Sequence, residues 1–109
     1  MSALYQMRYS GVAGQGHGAI YIGKQRLVGG DVTGARYEGT YTSQGAVLVG
    51  SATLTSAGAT LVTGLPVPPG TKVQIAFSLP ASFANGQFQT VSVGGKPVQV
   101  AFDKIGDIP

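Results

Sequence analysis

The chain has 109 residues, 43% of them hydrophobic, with eighteen glycines, six prolines, no cysteine and a formal net charge of +3. That apolar content excludes intrinsic disorder, and the missing cysteine excludes disulfide frameworks, thiolate metal sites and cysteine nucleophiles. The seven basic residues stand singly, without the clustering that capture of nucleic acid requires.

Helical periodicity is hard to find, and alternation with period two dominates. Tyr5, Met7 and Tyr9 share one face of a first strand, with Gln6 and Arg8 on the other. A glycine-rich turn is expected over residues 11–18. Ile20 and Ile22 then alternate with Ala19 and Tyr21 up to a tight turn at Gly23-Lys24. Residues 25–28 form a short strand that Gly29-Gly30-Asp31 ends. Residues 36–42 place Tyr37, Gly39 and Tyr41 on one face and Arg36, Glu38 and Thr40 on the other.

Ser43-Gln44-Gly45 turns the chain into a longer strand over 46–55, with Leu48 and Leu54 on one face and Val47 and Val49 on the other. Residues 60–65 read as another short strand. The prolines of Pro66-Val67-Pro68-Pro69-Gly70 cannot donate to a ladder, so the strand stops there. Val73, Ile75, Phe77 and Leu79 give the clearest alternation. Residues 80–85 include a short helical turn around Ala81-Ser82-Phe83. Residues 87–93 and 96–102 form a hairpin across Gly94-Gly95, with Val98, Val100 and Phe102 on its apolar face. The tail, 103–109, is expected to fray.

Eight or nine short strands in consecutive antiparallel pairing predict an all-β fold. Closure removes the exposed edges, so the expected form is a small up-and-down antiparallel β-barrel of about eight strands, as one domain over residues 1–109. A barrel of this size is filled by side chains or holds one small apolar ligand. Tyr37, Tyr41, Ile75, Phe77 and Phe102 are the expected interior lining.

Little in the chain suggests catalysis. Gly14-Gln15-Gly16-His17-Gly18-Ala19 fits a dinucleotide-binding fingerprint formally, but the residues that follow are β-like, and that fingerprint needs a helix. His17 is the only histidine, and none of the acids, Asp31, Glu38, Asp103 and Asp107, has ligand-like spacing to it. Asp31 and Glu38 are weighed as a carboxylate pair for glycoside cleavage. The simpler readings are turn chemistry for Asp31, bonding nearby backbone amides, and a solvated strand face for Glu38. No G-x-S-x-G elbow occurs. Tyr5, Tyr9 and Tyr37 alternate with Arg8 and Arg36 as in oligonucleotide-binding barrels, yet the tyrosines share the apolar face and suit the interior better. A non-enzymatic protein without cofactor or metal is expected. The first residues lack the pattern of a secretory signal, and no apolar run approaches a membrane span. A soluble, cytoplasmic protein is therefore expected, with no membrane contact.

Gly29-Gly30-Asp31 followed by Tyr37-Glu38-Gly39-Thr40-Tyr41 resembles the GrlR family, negative regulators of bacterial type III secretion. The early Tyr5-Gln6-Met7-Arg8-Tyr9 with its glycine loop, and Phe77-Ser78-Leu79-Pro80 before Ala84-Asn85-Gly86, are similar too. The likeness runs from about Tyr5 to Val93. It implies a lipocalin-like barrel, a homodimer, and regulation by holding a transcriptional activator through protein–protein contact. The resemblance places partner recognition in the loop Ser43, Gln44 and Gly45, where the family's founding regulator carries an acidic motif and this chain carries no acid.

Overall fold

The structure is a computed structural model that describes residues 2–109. Period-two alternation, interrupted at turns, yields ten strands: β1 (Ser2–Gly11), β2 (Gly14–Gly23), β3 (Arg26–Asp31), β4 (Arg36–Gln44), β5 (Val47–Thr55), β6 (Ala59–Thr60), β7 (Pro66–Val67), β8 (Lys72–Pro80), β9 (Gln89–Val93) and β10 (Lys96–Asp107). Eight of them close into an antiparallel barrel in the order β1-β10-β9-β8-β5-β4-β3-β2, and β6 and β7 pair separately. The expected up-and-down barrel is therefore the fold. Each barrel strand pairs with its neighbour in sequence, apart from the excursion over residues 56–71 between β5 and β8.

The seam is closed by β1 against β10, with Met7 opposite Phe102 and Tyr9 opposite Val100. Leu4 pairs with Gly106 and Tyr5 with Lys104, which leaves Ile105 as the extra residue of a bulge, turned outward. A bulge increases local twist, which suits a strand that must bend round to meet the first one. This pairing extends β10 to Asp107, so the tail expected to fray is strand for most of its length. Its polar residues lie on a paired edge, and β1 has no other partner on that side.

One end of the barrel has a floor. Phe83 is 1% exposed, with its ring 5.0 Å from that of Tyr5 and edge-on to Phe102 at 5.3 Å. The connection carrying it is held by Ala81 N–H to Ala46 O at 2.7 Å and Gly86 N–H to Phe102 O at 3.0 Å. On the outside, the Arg8 guanidinium donates to Gly86 O at 3.0 Å and lies over the Phe88 ring at 5.4 Å. The helical turn expected near residues 80–85 does not form. Phe83 N–H bonds Pro80 O at 2.9 Å in a single tight turn, and insertion of Phe83 into the floor leaves no room for a helix to propagate. The other end is flanked by residues 56–71, tied to the β1–β2 turn by Ala13 N–H to Val62 O at 2.8 Å.

Three other turns differ from expectation. The glycine-rich stretch 11–18 is mostly strand, and only Val12 and Ala13 turn. Gly29-Gly30-Asp31 completes β3 and does not end it early. The expected strand 60–65 is reduced to Ala59 and Thr60, which pair with Val67 and Pro66. This two-stranded ladder has free edges, where a missing proline N–H costs nothing.

Candidate functional site

Pleating sends alternate side chains inward, and along several strands those side chains are small. Gly16, Gly39, Gly50 and Ala52 fall at inward positions of β2, β4 and β5. A Cβ at Gly50 would stand 2.6 Å from the Phe77 ring, and one at Gly16 would stand 2.5 Å from the Tyr9 ring. Aromatic side chains thus lie flat over bare backbone, and the centre of the barrel is left open as a cavity of about 240 Å³.

Ile20, Ile22, Leu27, Leu54, Val91 and Val100 give its wall an apolar character. Tyr37, Ile75, Phe77 and Phe102 line the cavity. Tyr41 is buried but sits nearer the floor, off the cavity wall. The mouth lies between the β1–β2 turn, the β3–β4 turn and residues 56–62.

The wall has one strongly polar corner, built on Asp31 at the end of β3. Oδ1 accepts from Thr33 N–H at 2.9 Å and from Thr33 Oγ1 at 2.6 Å. Oδ2 accepts from the Tyr9 hydroxyl at 3.0 Å and from the Tyr37 hydroxyl. The Thr33 bonds close the turn chemistry expected for Asp31. The tyrosines come from β1 and β4, on either side of the β2–β3 pair. Register brings them together: Tyr9 is opposite Gly16, Gly18 is opposite Asp31, and Gly29 is opposite Tyr37.

Electrostatics make this corner an anchor. Burial is the largest influence on Asp31 and works to raise its pKa, but the hydrogen bonds from Thr33, Tyr37 and Tyr9 together outweigh it, and the carboxyl is held below its ordinary range. Burial pushes both hydroxyls up, and the adjoining carboxylate adds to that, so Tyr9 and Tyr37 stay protonated far into alkali. A general base needs a pKa near working pH and a free lone pair, and Asp31 meets neither condition. Glu38 is exposed on the outer face of β4, so the two carboxylates do not form a pair.

His17 is exposed on the outer face of β2, in a strand and not in the expected loop. It borders a shallow groove with Arg8 and Phe88. Among the described residues no three His, Asp or Glu side chains gather as metal ligands would. Ser43 and Gln44 are exposed at the end of β4, with only Gly45 and Ala46 forming the turn. They are strand residues and not loop residues, because they pair with Leu48 and Val47. They lie at the floor end, remote from the mouth.

Tyr9 and Thr33 are the members of the corner that sequence reading missed. Asp-x-Thr after a glycine pair is a local signal for the turn, but nothing near Tyr9 in sequence points to Asp31. The chain matches no protein-family model, and no curated protein compared with it is similar.

Proposed function

We propose that the chain is a non-catalytic binding barrel that holds one small apolar molecule in its interior. The observation that carries this reading is the cavity of about 240 Å³, apolar over most of its wall, closed at the floor by Phe83 and opening at the mouth. An apolar void of ~150 Å³ is enough to bind benzene, so this one takes a somewhat larger guest. The carboxylate on the wall is fully hydrogen-bonded, which suits a structural anchor. The test is a titration with small alkylbenzenes followed by protein NMR. Saturable shifts at cavity residues such as Ile75 and Leu54 support the reading, and a folded protein that binds none of them refutes it.

A second reading comes from the resemblance to GrlR regulators. In it the chain is a cytoplasmic homodimer that sequesters a transcriptional activator and so restrains type III secretion. Ser43, Gln44 and Gly45 are exposed at the floor end, so a protein partner there and a guest in the cavity would not compete for space. Light scattering on a sized column tests the dimer, and a strict monomer at high concentration counts against it. A pull-down with the tagged chain tests the partner.

A further inference from the structure

The chemistry of the guest follows from the lone pairs at the polar corner, and the inference rests on the ligand-binding reading above. An ionised carboxylate has about four acceptor sites and no donor. Those of Asp31 are taken by Thr33 N–H, Thr33 Oγ1, Tyr9 and Tyr37. Each tyrosine hydroxyl has a single hydrogen and spends it on Asp31. Both tyrosines and Asp31 line the cavity, so what remains there is acceptor capacity on two phenolic oxygens beside a negative charge.

Among the described residues no lysine, arginine or histidine lies on the cavity wall to balance a second anion. Gln15 and Thr60 do lie on it, but both are exposed at the mouth and keep their contact with water. The buried Ser56 hydroxyl, also on the wall, donates its hydrogen to Val67 O at 3.3 Å and accepts from Gly58 N–H at 2.9 Å, and that of Thr33 donates to Asp31. Three kinds of guest can be compared. A carboxylate would be desolvated next to Asp31 with no cation in reach, which is strongly unfavourable. A plain hydrocarbon fits but leaves the two phenolic acceptors unused. A hydroxyl group donates one hydrogen to Tyr9 or Tyr37 and brings no charge. We infer that the cavity selects an uncharged apolar molecule headed by a hydroxyl, an alkanol or alkylphenol, and rejects the corresponding carboxylate.

The experiment compares 4-propylphenol, propylbenzene and 4-propylbenzoate by calorimetry on the full chain at neutral pH. The phenol is expected to bind about three- to tenfold more tightly than propylbenzene, the size of one net hydrogen bond, and the benzoate at least tenfold more weakly than the phenol. In the triple variant Tyr9→Phe/Asp31→Leu/Tyr37→Phe, which removes the carboxylate together with both hydroxyls so that no freed acceptor takes their place, the lead of the phenol falls to about one while propylbenzene binds as before. Should that variant unfold, 4-propylanisole on the natural chain replaces it: the ether keeps the oxygen and has no hydrogen to donate, so it is expected to lose the phenol's lead, and an ether as tight as the phenol overturns the assignment. Equal binding of the phenol and propylbenzene, benzoate binding as tight as the phenol, or an undiminished ratio in every folded variant overturns the head-group assignment and leaves the cavity reading standing. Failure of all three compounds to bind overturns the cavity reading and this inference with it.

Discussion

The Tyr37 hydroxyl donates to the Asp31 carboxylate from the far side of the β3–β4 turn, six residues along the chain. Tyr37 is 8% exposed, so water cannot readily replace the bond. Tyr37→Phe removes a donor from a charged acceptor and keeps the ring. A hydrogen bond to a charged group contributes about 1.5–3 kcal/mol, so the variant is expected to lose that much stability, with Tm falling on the order of 10 °C. Thermal melting checks it, and an unchanged Tm would mean that Thr33 and Tyr9 satisfy Asp31 by themselves.

The same cluster sets the pH range of the fold. Asp31 titrates below its ordinary value of 3.8 in the folded chain, so it stays ionised to lower pH than in the unfolded chain. The stability it contributes is complete above about pH 4 and is lost as pH falls through the folded value. Tyr9 and Tyr37 titrate above their ordinary 10.0. Their contribution is complete below about pH 10 and is lost as pH rises past it. Urea midpoints measured across pH are expected to show a plateau with losses on both sides. Asp31→Asn should lower the plateau and flatten the acid limb. An acid limb of unchanged slope in that variant would assign it to the other carboxylates.

Phe83 closes the floor between Tyr5 and Phe102, and it is the largest fully buried side chain among the described residues. Phe83→Ala is expected to cost about 3–5 kcal/mol, the usual range for emptying a buried phenylalanine site. A domain of this size has roughly 5–15 kcal/mol in total, so the variant would lose a large share of its stability. Phe83→Leu should cost markedly less. Urea denaturation at constant m-value checks both, and a loss below about 1 kcal/mol for Phe83→Ala would show that the floor is not closed by this ring.

Alternation was legible in the sequence wherever side chains carried it. Val73 and Leu79 are buried and Ile75 and Phe77 line the cavity, because period two is a property of the pleat itself. The strand through Gly14, Gly16 and Gly18 was not legible, since glycine offers no apolar side chain to mark a face. What makes it a strand is pairing with β1 and the Tyr9 ring lying over Gly16. The last strand was hidden for a different reason. Asp103, Lys104 and Asp107 look like a solvated tail, and only the demand of β1 for a partner orders them. At the candidate site, the local half was visible as a turn at Asp31. The other half, Tyr9, arrives through two registers, β1 on β2 and β2 on β3, and no one-dimensional spacing encodes that.

The β2–β3 turn illustrates a local rule that this chain breaks. Lys24 and Gln25 both have positive φ, at 52° and 64°, which is the backbone of a type I′ hairpin turn. An L-residue with a side chain pays about 1–2 kcal/mol for that conformation, whereas glycine adopts it freely but loses more entropy on folding. Gln25→Gly is therefore expected to stabilise the chain by about 0.5–1 kcal/mol. The bond from Tyr41 N–H to Gln25 O at 3.2 Å uses backbone atoms and survives the change. Chemical denaturation checks it, and a net loss would show that the Gln25 side chain contributes more than its strain costs.

Ala52 offers a way to separate stability from binding. It faces inward from β5, is 5% exposed and lies on the cavity wall. Ala52→Leu would project three more carbons toward a void of about 240 Å³. Each buried methylene contributes about 0.8 kcal/mol, and crowding in a filled core costs about 1–3 kcal/mol. Where space already exists the two nearly offset, so stability should change by no more than about 1 kcal/mol. The guest loses the same space, and affinity for propylbenzene should fall at least tenfold. Ser51→Val, one residue earlier and exposed on the outer face, is the matched control and should leave affinity unchanged. Calorimetric titration of the two variants gives the answer. If Ala52→Leu binds like the natural chain, the guest does not occupy the barrel centre; if it unfolds, the open space does not extend beside β5.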